Sequence, residues 1–250
     1  MKWKVIGDIL VVDKNLAELN MGKNGLESLA NEFKVKSIVK INKIQGQMRE
    51  PEIEFLYGDS TETIHKENMC LFKLDLAKVM WSKGNTQERI RIAKLVKPNE
   101  TVLDMFAGIG YFTIPIAKHG KVKKLTAIEI NPNSFKYLKE NLILNKVENN
   151  VVPLLGDCDE LAKNIKADRV IMGYVRTTHH YLDTAINALN DGGILHYHET
   201  VPDKLINTRP INRIKEVAKE KEVELLNLRT IKKYSPGVSH VVLDVQINEK

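Results

Sequence analysis

The sequence predicts an α/β fold in which a mostly parallel sheet follows a small α+β domain. From about residue 87 onward, strand-like and helix-like segments alternate, which is the pattern of a doubly wound sheet. Before that point, residues 52–57 and 71–77 alternate between apolar and polar side chains, as half-buried antiparallel strands do. A glycine turn, Gly108-Ile109-Gly110, follows a buried strand-like run. We therefore divide the chain into domains of residues 1–86 and 87–250.

The N-terminal domain is predicted to contain one helix and four strand-like segments. The helix covers about residues 22–33 and places apolar side chains on one face, namely Leu26, Leu29, Ala30 and Phe33. The strand-like segments are residues 3–12, 35–41, 52–57 and 70–81. The domain carries no visible catalytic constellation, so we expect it to position a partner molecule.

The second domain is predicted to continue as strand and helix in turn. Its first helix, near residues 86–97, has Asn85 as a candidate N-cap and Glu88 three residues later, which is a capping-box pattern. Asn131-Pro132 predicts a later helix start, with proline at the first helical position. The other expected elements are strands at 100–104, 125–130, 151–157, 168–174 and 192–198, and helices at about 113–119 and 178–190.

The glycine turn indicates the class of ligand. A dinucleotide fingerprint requires a third glycine, but Thr113 stands in its place, and the Gly-Lys-Ser/Thr of a phosphate-binding P-loop is absent. Asp104, at the preceding strand end, would repel a pyrophosphate and suits a cationic ligand such as S-adenosylmethionine (AdoMet). Glu129 lies nineteen residues after Gly110 and is placed to accept hydrogen bonds from a ribose diol. We therefore interpret the motif, including Gly108, as an AdoMet site.

Other strand ends extend this site. Asp157-Cys158 follows the next strand, where a carboxylate and a backbone N–H can bind the adenine ring. Gly173-Tyr174 ends the strand after that. Because ligands of open α/β sheets bind beyond the carboxyl ends of the strands, we expect these residues to share one crevice. Tyr174 has two open interpretations, stacking on a substrate base or packing within the protein.

Composition narrows the functional class further. The chain has 250 residues, 43% of them hydrophobic, and lacks the run of roughly 18 to 20 apolar residues that a membrane span needs. We expect no signal peptide in the N-terminal sequence and no disulfide framework from Cys70 and Cys158, so we expect a cytoplasmic protein. The net charge of +6 modestly favours a polyanionic partner.

Several motifs resemble one enzyme family. Residues 104–110, Asp-Met-Phe-Ala-Gly-Ile-Gly, with Pro115 soon after, resemble the first motif of archaeal and eukaryotic tRNA methyltransferases that modify the guanosine 3′ to the anticodon. Residues 82–89 and 232–240 also look like segments of those enzymes, so the resemblance runs from roughly residue 50 to the C-terminus. It implies a class I methyltransferase-type, Rossmann-like sheet.

One departure from that family decides the expected reaction. After the fourth strand the guanine-N1 methyltransferases carry Asn-Leu-Pro, whereas this chain has Gly173-Tyr174-Val175. The chain is similar here to the archaeal wybutosine-pathway tRNA 3-amino-3-carboxypropyl transferases. The resemblance implies transfer of the aminocarboxypropyl group of AdoMet to 4-demethylwyosine at position 37 of tRNA(Phe), with release of methylthioadenosine. By the same correspondence, Ser82 and Arg89 would hold the methionine arm; no general base is identified.

Other functions remain open at this point. The alternatives are guanine-N1 methylation at position 37, a noncatalytic tRNA-binding role and, more distantly, an NAD-dependent dehydrogenase. His196 and His198 lie on one strand, with His179-His180 elsewhere, but no spacing completes a metal site, so no metal is expected. Three basic segments are candidate tRNA phosphate contacts, around residues 118–124, 209–215 and 229–233. The oligomeric state is not predicted.

Overall fold

The structure, a computed structural model, describes residues 3–13, 21–46, 50–175 and 177–250. The chain divides after Ser82 into two compact units. In the described part of the chain, no helix combines the length and the apolar character required to cross a membrane. The functional division of the chain at residue 86 stays a prediction.

The N-terminal unit contains a four-stranded sheet, a separate two-stranded hairpin and one helix. The strands are β1 (Lys4–Ile6), β2 (Ile9–Val12), β3 (Ser37–Gln45), β4 (Glu50–Tyr57), β5 (Glu62–Glu67) and β6 (Cys70–Asp75), and the helix is α1 (Lys23–Phe33). The sheet order is β1-β2-β3-β4, with β2 and β3 parallel and the other neighbours antiparallel. Helix α1 buries Leu29 and Ala30 against Leu10 and Ile38 of the sheet, as its apolar face predicted.

Three predictions for this unit need correction. The segment 3–12 forms two strands, because the chain turns at Gly7, whose φ of +56° lies in the left-handed region. The strand predicted at 70–81 ends at Asp75, whose carboxylate accepts hydrogen bonds from the Ala77 N–H and the Thr61 hydroxyl. Strand β5 was missed because its sequence, Glu-Thr-Ile-His-Lys-Glu, is mostly polar and shows no apolar alternation.

The second unit contains the predicted mostly parallel sheet. Its strands are β7 (Thr101–Asp104), β8 (Lys124–Glu129), β9 (Val151–Leu155), β10 (Ala167–Met172), β11 (Leu189–Pro202), β12 (Lys221–Ser235) and β13 (Val238–Glu249). Its helices are α2 (Thr86–Leu95), α3 (Thr113–His119), α4 (Pro132–Asn145), α5 (Cys158–Leu161), α6 (Leu182–Asn187) and α7 (Arg209–Val217). The sheet order is β12-β13-β11-β10-β7-β8-β9, and the strands from β11 to β9 run parallel.

This strand order positions the site. The chain proceeds outward from β7 through β8 to β9, then returns to the other side of β7 to form β10 and β11. The order therefore reverses between β7 and β10, and such a reversal opens a crevice at the carboxyl ends of the strands. The ends of β7, β8, β9 and β10 all lie at this edge.

The second unit also departs from the prediction in three places. The helix expected at 178–190 is a 3₁₀ turn, Thr178–Tyr181, followed by α6, and β11 begins already at Leu189. The antiparallel hairpin of β12 and β13 was not predicted. Asn85 has φ −106° and ψ 3° and, within the described residues, caps no backbone N–H, so the capping box is wrong. Asn131 does cap α4, accepting hydrogen bonds from the N–H groups of residues 133 and 134.

A buried network of charges holds α2 against the sheet. Asp244 of β13 accepts hydrogen bonds from Arg91 of α2 (Nη1 to Oδ2, 2.6 Å) and from His196 of β11 (Nδ1 to Oδ1, 2.6 Å). Glu88, only 2% exposed, binds Arg91 from the same helix. Arg169 of β10 lies 2.7 Å from the other ring nitrogen of His196. Since arginine only donates, His196 is neutral, accepts from Arg169 and donates from Nδ1 to Asp244.

We predict that Asp244→Ala lowers the free energy of unfolding by about 3–5 kcal/mol, because it breaks a buried ion pair, taking one of two carboxylate partners from Arg91 and the acceptor from the buried His196. Urea denaturation measures the change. Glu249→Ala is the matched control in the same strand, since Glu249 pairs with Lys221 at the surface and is 62% exposed. Glu249→Ala should lower the free energy of unfolding by only about 0–1 kcal/mol. Equal effects of the two variants would contradict a stabilising role for the network.

Candidate functional site

The glycine turn after β7 adopts a backbone that requires glycine. Gly108 has φ +59° and Gly110 has φ +98°. The ring of Tyr111 lies directly over Gly108, where a Cβ would be 2.5 Å from the ring. The positive φ angles and the Tyr111 ring therefore both require glycine at position 108, and the turn leads into the N-terminus of α3.

Glu129, at the end of β8, fixes this turn. Its Oε2 accepts a hydrogen bond of 2.7 Å from the Gly108 N–H, and its Oε1 accepts one of 2.7 Å from the Asn131 N–H. Burial raises the pKa of the Glu129 carboxyl, and the two backbone donors oppose that rise. One side chain thus links the glycine turn to the start of α4. Its contact with a ribose stays a prediction.

Asp104, at the end of β7, is fully buried. Its Oδ2 accepts a hydrogen bond of 2.7 Å from the Thr113 hydroxyl, at the start of α3. This bond explains why threonine stands where a dinucleotide fingerprint has glycine. Burial raises the pKa of Asp104 to about 6, and the nearby Glu129 adds to the rise. A cation nearby would favour the ionised form of both carboxyls.

Asp157 and Cys158 lie beside Glu129, because the Gly156 N–H donates to the Glu129 carbonyl oxygen at 3.0 Å. Asp157 is exposed and caps α5, accepting a hydrogen bond of 2.9 Å from the Asp159 N–H. Cys158 is buried, and burial together with nearby acidic groups raises its thiol pKa to about 12. The thiol is therefore neutral and unsuited to nucleophilic attack, and contact of the Cys158 N–H with an adenine ring stays a prediction.

Arg89 of α2 is not a solvated helix charge, since it is only 1% exposed. Its guanidinium carbon lies 5.2 Å from the centre of the Tyr111 ring, and that ring covers Gly108. The structure thus brings Arg89 to the glycine turn through Tyr111, a contact that the sequence did not indicate. Ser82 is the last residue of the N-terminal unit and is partly buried. The contacts of Arg89 and Ser82 with a methionine arm stay predictions.

An aromatic group at the end of β10 was also missed. Phe106 contacts both Tyr174 and Tyr181, and the three rings come from separate segments of the chain. Gly173, just before Tyr174, has no room for a side chain, because a Cβ there would lie 2.6 Å from the buried ring of Phe112. No local signal in the sequence links these rings, since their separation along the chain reaches 75 residues.

The histidines of β11 have protein partners. His196 belongs to the charge network, and His198 Nδ1 lies 3.0 Å from His240 Nε2. Within residues 3–13, 21–46, 50–175 and 177–250, no three His, Cys, Asp or Glu side chains are arranged to hold a metal ion.

The basic segment at 209–215 is largely committed to an internal contact. Arg209 donates from Nε to Glu199 at 2.8 Å, and Arg213 donates from Nη1 to the same oxygen at 2.6 Å. Glu199 is only 1% exposed and also accepts a hydrogen bond from the Tyr197 hydroxyl. These two arginines therefore fasten α7 to β11, which makes them weak candidates for phosphate contacts.

Comparison with known proteins gives a consistent family. Residues 63–226 match the TRM5/TYW2 methyltransferase domain, and residues 1–61 match the TYW2 N-terminal domain. The tRNA(Phe) (4-demethylwyosine(37)-C(7)) aminocarboxypropyltransferase of Methanocaldococcus jannaschii is 49% identical over 249 residues, which cover 98% of this chain and 98% of that relative.

Two solved structures resemble the whole chain. The crystal structure of M. jannaschii TYW2 in complex with AdoMet has a TM-score of 0.82 and 44% identity, and the match covers 100% of both chains. The crystal structure of P. horikoshii TYW2 in complex with MeSAdo has a TM-score of 0.88 and 41% identity, covering 100% of this chain and 91% of that one. These matches confirm the predicted fold class.

We predict that Glu129→Ala weakens AdoMet binding by about 10- to 150-fold, the equivalent of a lost hydrogen bond to a charged group. It should also lower the melting temperature, because the Gly108 and Asn131 N–H groups lose their acceptor. Calorimetric titration and thermal unfolding measure the two effects. Glu148→Ala, which removes an exposed carboxylate, serves as the control. Unchanged affinity in Glu129→Ala would remove the ribose assignment.

The raised pKa values predict a pH dependence of AdoMet binding. Asp104 has a pKa near 6, so its carboxyl is mostly protonated below that pH and mostly ionised above it. A cationic ligand favours the ionised form. The affinity should therefore rise with pH through about 6 and level off above it, with a slope of up to about tenfold per pH unit on the acidic side. Calorimetric titrations between pH 5 and 8 test this. Asp104→Asn should flatten the profile, and a flat wild-type profile would contradict the prediction.

Proposed function

The chain belongs to the TRM5/TYW2 methyltransferase family, and we propose that it is an AdoMet-dependent tRNA aminocarboxypropyltransferase. It transfers the 3-amino-3-carboxypropyl group to C(7) of 4-demethylwyosine at position 37 of tRNA(Phe). The observation that carries this proposal is 49% identity, across 98% of both chains, to an archaeal enzyme with that name. The match of residues 1–61 to the TYW2 N-terminal domain supports it independently of the catalytic unit.

AdoMet supplies a sulfonium with three electrophilic carbons. In the proposed reaction, a bond forms between C(7) of the base and the γ-carbon of the methionine arm, while the bond between that carbon and sulfur breaks. The electron pair goes to sulfur, methylthioadenosine leaves as a neutral product, and the proton of C(7) is released to solvent. A relative's crystal structure holds MeSAdo, which is consistent with this product. The reaction as written requires no metal.

The residues of the crevice fit this ligand. The Gly108 turn lies at the end of β7 and is tied by a hydrogen bond to Glu129 at the end of β8, the carboxylate proposed for the ribose diol. Asp157 and the Cys158 N–H, at the end of β9, are the groups proposed for adenine. We propose that these groups fix the nucleoside half in the way common to the fold, and that selection between the electrophilic carbons comes from orientation of the methionine arm.

Arg89 and Ser82 are the proposed residues for that orientation. A guanidinium can bind the methionine carboxylate through two parallel hydrogen bonds. Arg89 is held by α2 and by the Tyr111 ring, so its charge is fixed in place before the ligand arrives. The N-terminal unit, in this proposal, positions the tRNA.

Guanine-N1 methylation is the rival reaction within the family. A ring nitrogen reacts through an in-plane lone pair and needs polar atoms beside the base. Gly173 supplies no side chain, and the Phe112 ring lies where one would project. This local geometry favours the aminocarboxypropyl transfer.

We predict that AdoMet labelled in its carboxypropyl carbons transfers the label to tRNA(Phe) carrying 4-demethylwyosine, with release of methylthioadenosine. Parallel reactions use methyl-labelled AdoMet and tRNA carrying unmodified guanosine at the same position. Methyl label in the RNA, with S-adenosylhomocysteine released, would identify a methyltransferase instead. AdoMet binding without transfer of either label would favour a noncatalytic tRNA-binding role.

A further inference from the structure

Three aromatic rings meet where β7 and β10 end. The rings of Phe106 and Tyr174 are stacked, with centroids 5.4 Å apart and planes inclined by 25°. Tyr181 meets the Phe106 ring edge-on, with centroids 5.1 Å apart and an angle of 81°. All three side chains are half-buried, so this cluster retains an accessible surface at the crevice.

The order of the strands places Tyr174 at the reacting end of the crevice. Asp157, Glu129, the glycine turn and Tyr174 follow β9, β8, β7 and β10, which are consecutive in the sheet. A nucleoside with its adenine at β9 and its ribose at β8 directs its sulfur toward β7 and β10. Since neighbouring strands are about 4.8 Å apart, the end of β10 lies about 10 Å from the ribose position. The acceptor base must therefore approach beside Tyr174.

The backbone of Tyr174 is anchored there by a hydrogen bond. Thr178, only 1% exposed, donates a hydrogen bond of 2.7 Å from its hydroxyl to the Tyr174 carbonyl oxygen. Phe106 covers one face of the Tyr174 ring, so the remaining exposure belongs to the other face and the edges. Gly173 adds no polar side chain next to it. This part of the crevice can recognise a base by its π-face.

The chemistry of the acceptor requires such recognition. An aromatic carbon attacks through its π-orbital, which is perpendicular to the ring, whereas a ring nitrogen attacks through a lone pair in the ring plane. The acceptor base must therefore turn one face toward the γ-carbon, and its opposite face needs support. A stacked aromatic side chain supplies that support and gains from the larger surface of a fused tricyclic base.

We propose that Tyr174, backed by Phe106, is the platform on which the tricyclic base stacks, and that it selects this base over guanine. This inference rests on the proposed function and adds a specificity-determining residue to it. Tyr181 packs edge-on against the Phe106 ring and supports it.

The test measures the dissociation constants of two forms of tRNA(Phe), one carrying 4-demethylwyosine and one carrying guanosine at position 37. Stacking of one base on an aromatic side chain is worth about 5- to 150-fold in affinity, and a tricyclic base covers more of the ring than guanine does, so the wild-type protein should bind the tricyclic form more tightly. Tyr174→Ala should reduce that ratio toward one. Tyr174→Phe, which keeps the ring, should retain the preference.

Tyr174→Leu separates stacking from packing, because leucine keeps an apolar side chain against Phe106 without a π-face. We expect Leu to behave as Ala does; a leucine variant with the wild-type ratio would overturn the proposal. AdoMet affinity should be unchanged in all three variants, and a parallel loss of AdoMet affinity would also overturn it. If the wild-type protein binds both tRNAs equally, the stacking platform is rejected, even when carboxypropyl label reaches the tricyclic base. If no carboxypropyl label is transferred, only the proposed reaction is rejected.

Discussion

The buried carboxylate of Asp244 is the interaction on which the arrangement of the second unit depends. It joins α2, through Arg91, to two strands of the sheet, through its own position in β13 and through His196 of β11. Burial alone would raise the pKa of Asp244, but hydrogen bonds from His196 and Arg91 outweigh it and keep the carboxyl ionised far into the acidic range. Because α2 also carries Arg89, this network fixes a cation beside the glycine turn.

Two buried carboxylates hold the glycine turn and the helix that follows it. Glu129 anchors the glycine turn by accepting the Gly108 N–H, and Asp104 anchors α3 by accepting the Thr113 hydroxyl. Neither group is free to move, so the negative field in the crevice exists before any ligand binds. A fixed negative field disfavours a pyrophosphate and favours a sulfonium. Thr113, which stands where a dinucleotide fingerprint has its third glycine, contributes to this preference because its hydroxyl holds the Asp104 carboxylate in place.

Net charge is a poor guide to where RNA would bind this protein. Two of the arginines that the sequence offered for phosphate contacts, Arg209 and Arg213, neutralise the buried Glu199. Lys233 of the hairpin is 68% exposed, yet it pairs with Asp203. Arg229, on the same edge strand, is exposed. The positive surface available to a polyanion is therefore smaller than the count of basic residues implies, and it includes the β12 edge.

The parallel sheet, the glycine turn and the strand-end positions of Glu129 and Asp157 could be predicted from the amino-acid sequence, because each depends on residues close together in the chain. The sequence did not indicate the ring of Tyr111 between Arg89 and Gly108, the stack of Tyr174 on Phe106 or the charge network. Those contacts join residues that are 22, 68 and up to 153 positions apart. Local propensity carries no information about such contacts; they form only when packing brings the strand ends to one edge and burial forces each charge to find a partner.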